Sequence, residues 1–252
     1  MRGRQPKVRS GWLPTLVVLF MVPLLVSLGF WQLKRAEDKR AIQSEYDARS
    51  RDARVEIGPG LQQAEDLRFY RVIARGRYET QYQIFIDNRV QHGRVGYHVI
   101  TPLKIGDSDT RVLVNRGWIA LGATREDVPA AAAPAGVQEV TGVATLPREK
   151  VFRLAEAPPL GGTWQVVWQH LDMKRYAQAV SFPVQPVVVL LDADSPAGGF
   201  VRDWARLDAG IAVHQGYAFQ WFILAAVLLI IYLFFNLRSA GNPRNNGASM
   251  RE

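Results

Sequence analysis

Cysteine is absent from the 252-residue chain. That excludes a disulfide framework, a thiol nucleophile, a thiolate metal site and copper delivery through cysteine, while leaving an oxidising compartment open. Catalytic signatures are missing too. The sequence has no GxSxG elbow, no HExxH helix, no phosphate loop and no GxGxxG turn. Histidine is scarce, with four in the chain, at positions 92, 98, 170 and 214. The chain therefore reads as a non-enzyme, and an extracytoplasmic hydrolase would need a clustered nucleophile and base that the sequence does not display.

Charge is missing from two long stretches. WLPTLVVLFMVPLLVSLGFWQL, from Trp12 to Leu33, and GYAFQWFILAAVLLIIYLFFNL, from Gly216 to Leu237, hold no Asp, Glu, Lys or Arg. Each has roughly 22 residues and would reach about 33 Å as a helix, enough for a hydrocarbon core. The first is longer than a signal-peptide core, so it reads as a retained anchor. Pro14 and Pro23 within it are tolerable in a membrane helix.

Flanking charge gives an orientation. Arg2, Arg4, Lys7 and Arg9 precede the first stretch without any acid, and Arg238, Arg244 and Arg251 follow the second, so both ends favour the cytoplasm. The expected division is a cytoplasmic terminus at 1–11, a first span at 12–33, a periplasmic domain at 34–212, a second span at 213–237 and a cytoplasmic tail at 238–252. The net charge of +8 is spread along the chain and gathered partly at the membrane flanks. Anionic lipid accounts for it without nucleic acid, and the bilayer is the implied partner.

Between the spans, LKRAEDKRAIQSEYDARSRDA has helix formers and dense mixed charge and is expected to continue the first helix. GPG at 58–60 breaks it. RVIARGRY (71–78), QIFIDNRV (83–90), GYHVITPL (96–103), RVLVNRGWIA (111–120) and VQEVTGVATL (137–146) are β-branched or alternating runs separated by turns. AAAAPAG (130–136) and EAPPLGG (156–162) read as loops, WQVVWQ (164–169) as a short strand, LDMKRYAQAV (171–180) as a helix and PVVVLLDAD (186–194) as a buried strand. The expected fold class is a membrane protein with two transmembrane α-helices flanking an extracytoplasmic, mainly antiparallel β (α+β) domain.

His92 and His98 flank a strand link and lack an ordered third metal ligand, which favours ordinary strand-end histidines. His170 reads as a helix-start residue, and Asp192 with Asp194 as turn formers before SPAGG. His214, Tyr217 and Trp221 stand at i, i+3 and i+7 and share one side of the second span. These three residues fit first an interfacial aromatic belt, with an imidazole iron ligand beside an aromatic wall for a flat, greasy macrocycle as the alternative. Their spacing does not decide between the two.

An ordered set of motifs does narrow the choice. H-x-x-Y-A-x-Q-W-F (His214, Tyr217, Ala218, Gln220, Trp221, Phe222) resembles the second transmembrane segment of the surfeit-locus (Shy-type) family of cytochrome c oxidase assembly factors. G-x-W-Q-x-x-R (Gly29, Trp31, Gln32, Arg35), YRVIARGRY, GYHVITPL, LVNRGWIA and PVVVLLDAD follow the family's pattern in the same order, over roughly residues 25 to 236. The resemblance implies a factor that binds haem a and assists its insertion into haem-copper oxidase subunit I, with haem a synthase as a further partner, in a bacterial inner membrane rather than a mitochondrial one. It implies His214 as the iron ligand, with Tyr217 and Trp221 as pocket walls. Val213 and Gln215 depart from the asparagine and leucine common in the family at these places. Trp31, Arg35, Arg116 and Trp118 match family landmarks and read first as structural, NRGW as a strand end with a glycine turn. Arg35 or Arg116 would alternatively suit haem propionates. The competing reading is a membrane-anchored scaffold that steadies nascent oxidase subunits without binding haem.

Overall fold

The computed structural model describes residues 12–122, 127–147, 164–204 and 210–240. The expected loop at 156–162 and most of the two expected cytoplasmic ends lie outside the described residues. The chain divides into two compact units, one of residues 1–43 with 206–252 and one of residues 44–205.

The first unit is built on two helices, α1 (Trp12–Arg49) and α4 (Ile211–Ala240). Both are long and apolar enough to cross a membrane. α1 runs without interruption past its apolar stretch and past Pro23, as the helix-forming, mixed-charge sequence after Leu33 predicts. Its last turns belong to the second unit. There the Tyr46 ring meets Phe69 edge-on at 5.4 Å, and Arg49 donates to the Glu65 and Arg68 carbonyls.

The second unit is a sheet of eight strands: β1 (Val55–Glu56), β2 (Arg71–Tyr78), β3 (Ile84–Gln91), β4 (Arg94–Ile105), β5 (Arg111–Ala120), β6 (Gln138–Thr145), β7 (Val167–Trp168) and β8 (Val184–Leu191). Two short helices, α2 (Ala64–Leu67) and α3 (Met173–Ala179), accompany it. The strand order β1-β2-β6-β8-β5-β4-β3-β7, with β2 also paired to β4, closes a ring through β2, β6, β8, β5 and β4. β4 makes the closure by changing partners along one edge. Residues from Arg94 to Ile100 pair with β3, and Leu103 to Ile105 pair with β2. Pro102, which has no N–H to donate, falls at that changeover.

The sheet is not simply the antiparallel one expected. β1 runs parallel to β2, β7 parallel to β3, and β8 parallel to β5. The physical reason lies in β8. It arrives after a long excursion and slots between β5 and β6, antiparallel to one and parallel to the other, a placement that hairpins alone cannot produce. Its continuous VVVLL run suits a strand covered on both faces.

The ring is filled by Val72 and Ala74 from β2, Leu103 from β4, Val112 and Val114 from β5, Val140 from β6 and Val189 from β8, none more than 1% exposed. A second cluster, with Ile84, Ile100 and Val188, lies under Trp168 and the α3 residue Tyr176. Asp192 follows β8 and pairs with Arg71. It belongs to a turn, with Ser195 N–H donating to its carbonyl.

NRGW is not a strand end. Residues 115 to 118 lie within β5, and Gly117 takes a φ of +116° that lets the Val201 segment approach. Arg116 shares the parity of Val112 and Val114 and is 2% exposed. It donates to the Gly198, Ala131 and Ala132 carbonyls and to Gln83 Oε1, and the Tyr78 and Phe200 rings lie 5.2 and 5.1 Å from its guanidinium carbon. Burial lowers its pKa, and its hydrogen bonds to the 131–132 and 198 carbonyls hold two loop segments against the ring.

Candidate functional site

Along α1 and α4 the less exposed positions recur at alternating steps of three and four. On α1 they include Leu25, Gly29, Gln32 and Ala36, and on α4 His214, Ala218, Trp221, Ala225 and Tyr232. This is the spacing of a helix-pair seam, and small residues fill its tightest places, with Ala36 0% and Ala218 1% exposed. The helices run antiparallel. Thr15 and Tyr232 hydroxyls are 2.9 Å apart, the Phe30 and Phe222 rings meet edge-on at 5.4 Å, and Gly29 leaves room for Phe222.

His214 lies in this seam, half-buried near the start of α4. Its Nδ1 is 2.8 Å from Gln32 Oε1. A carbonyl oxygen can only accept, so in the neutral ring Nδ1 carries the proton and Nε2 keeps its lone pair. Trp221 stands two turns along the same seam. Tyr217 lies on the flank and is 49% exposed, because the seam passes through Ala218 instead. Trp31 is 50% exposed beside Gln32, with the Arg35 guanidinium 5.6 Å from its ring.

The other described histidines offer less. His92 sits at the tip of the β3–β4 hairpin with a positive φ and lies 3.7 Å from an Asp203 carboxylate oxygen. His98, in β4, faces the Asn115 amide at 3.4 Å. Asn115 Oδ1 accepts from Gly117 N–H, so its Nδ2 points at His98 Nδ1, which must accept. The His98 lone pair is thereby occupied and its proton sits on Nε2, the reverse of His214. Burial, with Arg89 as a lesser cause, pushes its pKa down to about 4. Among the described residues no group of three or more His, Asp or Glu could hold a metal ion. Arg116 has its guanidinium filled by protein acceptors and is closed to propionates, whereas Arg35 is exposed on α1 one turn from Gln32.

The SURF1 family model matches residues 19–226, a range that includes most of α1, the first half of α4, His214 and Gln32. The chain belongs to the SURF1 family. A SURF1-like protein of Rickettsia felis is 26% identical over 234 residues, which cover 87% of this chain and 95% of the relative. Surfeit locus protein 1 of Xenopus tropicalis is 22% identical over 236 residues, covering 85% and 73%. A SURF1-like protein of Drosophila melanogaster is 26% identical over 240 residues, covering 85% and 75%. Two membrane-length helices and similarity to Rickettsia proteins fit a bacterial membrane protein of this family.

Gln32 is the site residue that sequence reasoning left without a role. It stood inside the G-x-W-Q-x-x-R motif, and the available signal was a polar side chain in an otherwise uncharged span.

Proposed function

We propose that this SURF1-family protein binds haem a as cargo through His214 Nε2 and assists its insertion into subunit I of a haem-copper oxidase. The observation that carries the reading is the Gln32–His214 pair, which engages Nδ1 and leaves Nε2 as the nitrogen open for ligation at the edge of an apolar segment. Haem a bears a long isoprenoid tail that favours lipid, and α4 is apolar from Trp221 to Phe235. Trp221 and Tyr217 serve as the aromatic wall, and Arg35 is the cation available to a propionate.

In this reading both termini face the cytoplasm of a bacterial inner membrane, because basic residues flank both apolar stretches. Residues 44–205 then lie on the periplasmic side and meet the client oxidase. Haem a synthase is the natural donor, since the cargo must be passed on before it is exposed to water.

Co-expression with a haem a synthesis pathway, purification in detergent and absorption spectra of the wild type and His214→Ala test the reading. A haem a Soret band in the first and none in the second, with both proteins folded, is the expected result. No band in either, where haem a is made, would leave the scaffold as the function.

A further inference from the structure

We propose that Gln32 is the positioning residue for the His214 ligand, and that its uncharged amide keeps the iron bond weak enough for the cargo to leave. The inference rests on His214 being the ligand and adds how that bond is set. Histidines in durable metal sites commonly donate their second N–H to a carboxylate, which raises the basicity of the ligating nitrogen. Here the acceptor is an amide oxygen at 2.8 Å. It fixes the tautomer as a carboxylate would, but places no negative charge behind the ring.

The surrounding face of α1 agrees with this. Going along it from Gly29 through Gln32, Ala36 and Lys39 to Gln43, no acid occurs, and Glu37 and Asp38 are exposed on other sides. Two rigid helices contribute the pair, so ring orientation is set by the seam rather than by a loop. Loss of the acceptor would free the ring to carry its proton on either nitrogen, and the fraction with the proton on Nε2 cannot ligate through that nitrogen.

The test uses the full-length protein in detergent, as wild type, Gln32→Leu and Gln32→Glu. Nitrogen-15 NMR of the histidine-labelled, haem-free protein at alkaline pH reads the tautomer directly, with His214 assigned by its loss in His214→Ala. The wild type and Gln32→Glu should show protonated Nδ1 and bare Nε2, and Gln32→Leu a mixture. Haem a affinity should fall by about 10- to 100-fold in Gln32→Leu. Gln32→Glu should bind at least as tightly, with a more negative haem midpoint potential and slower transfer to an apo-globin acceptor. A merely structural role for Gln32 would leave the potential unmoved.

The inference is overturned if Gln32→Leu keeps both tautomer and affinity, or if Gln32→Glu leaves potential and release rate unchanged. Haem a retained by His214→Ala would instead overturn the ligand assignment, and this inference with it. Failure of the Gln32 variants alone leaves that assignment standing.

Discussion

Acid should weaken the β unit through one residue, His98. Its pKa drops from 6.5 to about 4, because burial disfavours the imidazolium and Arg89 adds repulsion. The unfolded chain takes up the proton below about pH 6.5, while the folded chain resists until about pH 4. Between these values the unfolded state binds more protons, so stability rises with pH. The contribution is present in full above 6.5, is lost as pH falls through that window and levels off below it. The shift corresponds to a loss on the order of 3 kcal/mol, less where the accessible edge of the ring is screened. Denaturant unfolding of the full chain in mild detergent, followed by tryptophan fluorescence from neutrality to about pH 4, measures it. Carboxylates also titrate there, so the quantity to follow is the difference between wild type and His98→Gln. That variant keeps an acceptor for Asn115 but cannot titrate. A difference that stays constant across the window, or that favours the wild type at low pH, would refute the reasoning.

Arg116→Met should cost about 3 kcal/mol or more in the same unfolding assay, since it strands several buried carbonyls. Arg116→Lys should recover little, because one ammonium cannot span acceptors on both loop segments. Gly117→Ala should destabilise by roughly 1–3 kcal/mol, combining a φ of +116° with a Cβ 2.6 Å from the Val201 carbonyl oxygen. Gly29→Val should loosen the helix pair, because a Cβ there falls 2.5 Å from the Phe222 ring. Disulfide trapping between Thr15→Cys and Tyr232→Cys, clean in a chain without native cysteine, should slow in that variant and recover with Phe222→Ala added. Arg35→Gln should lower haem a retention a few-fold while leaving the His214 tautomer unchanged in the NMR measurement.

The strand β2 was readable because its burial alternates. RVIARGRY buries Val72, Ala74 and Gly76 and turns Arg75 outward, and period-two patterning reports that directly. Strand direction leaves no such trace, since PVVVLLDAD has the same composition whether it runs parallel or antiparallel to β5. β1 and β7, two residues each, are too short to carry a period. On α4 helical spacing identifies neighbours but not the face that meets a partner. His214, Tyr217 and Trp221 share a side, but the seam follows Ala218, where close approach is possible, and leaves Tyr217 outside. The Gln32–His214 pair joins residues 182 positions apart, beyond the reach of any local period. Arg116 was legible as a landmark, but its burial depended on a strand parity that the supposed glycine turn at 117 concealed.

The late strand β8 has a consequence for biogenesis. Until residues 184–191 emerge, β5 and β6 each keep an open edge, and the ring cannot close. Closure thus depends on a contact between segments far apart in sequence, a slow kind of step in folding. Only the stretch from Asp192 to Gly210 separates the end of β8 from α4. In the orientation proposed above, the strand that completes the ring would reach the far side of the membrane just before the second helix enters the bilayer. An export machine that stalls short of Leu191 would leave an anchored chain with two unsatisfied strand edges, the form most open to proteolysis and to pairing with a neighbour.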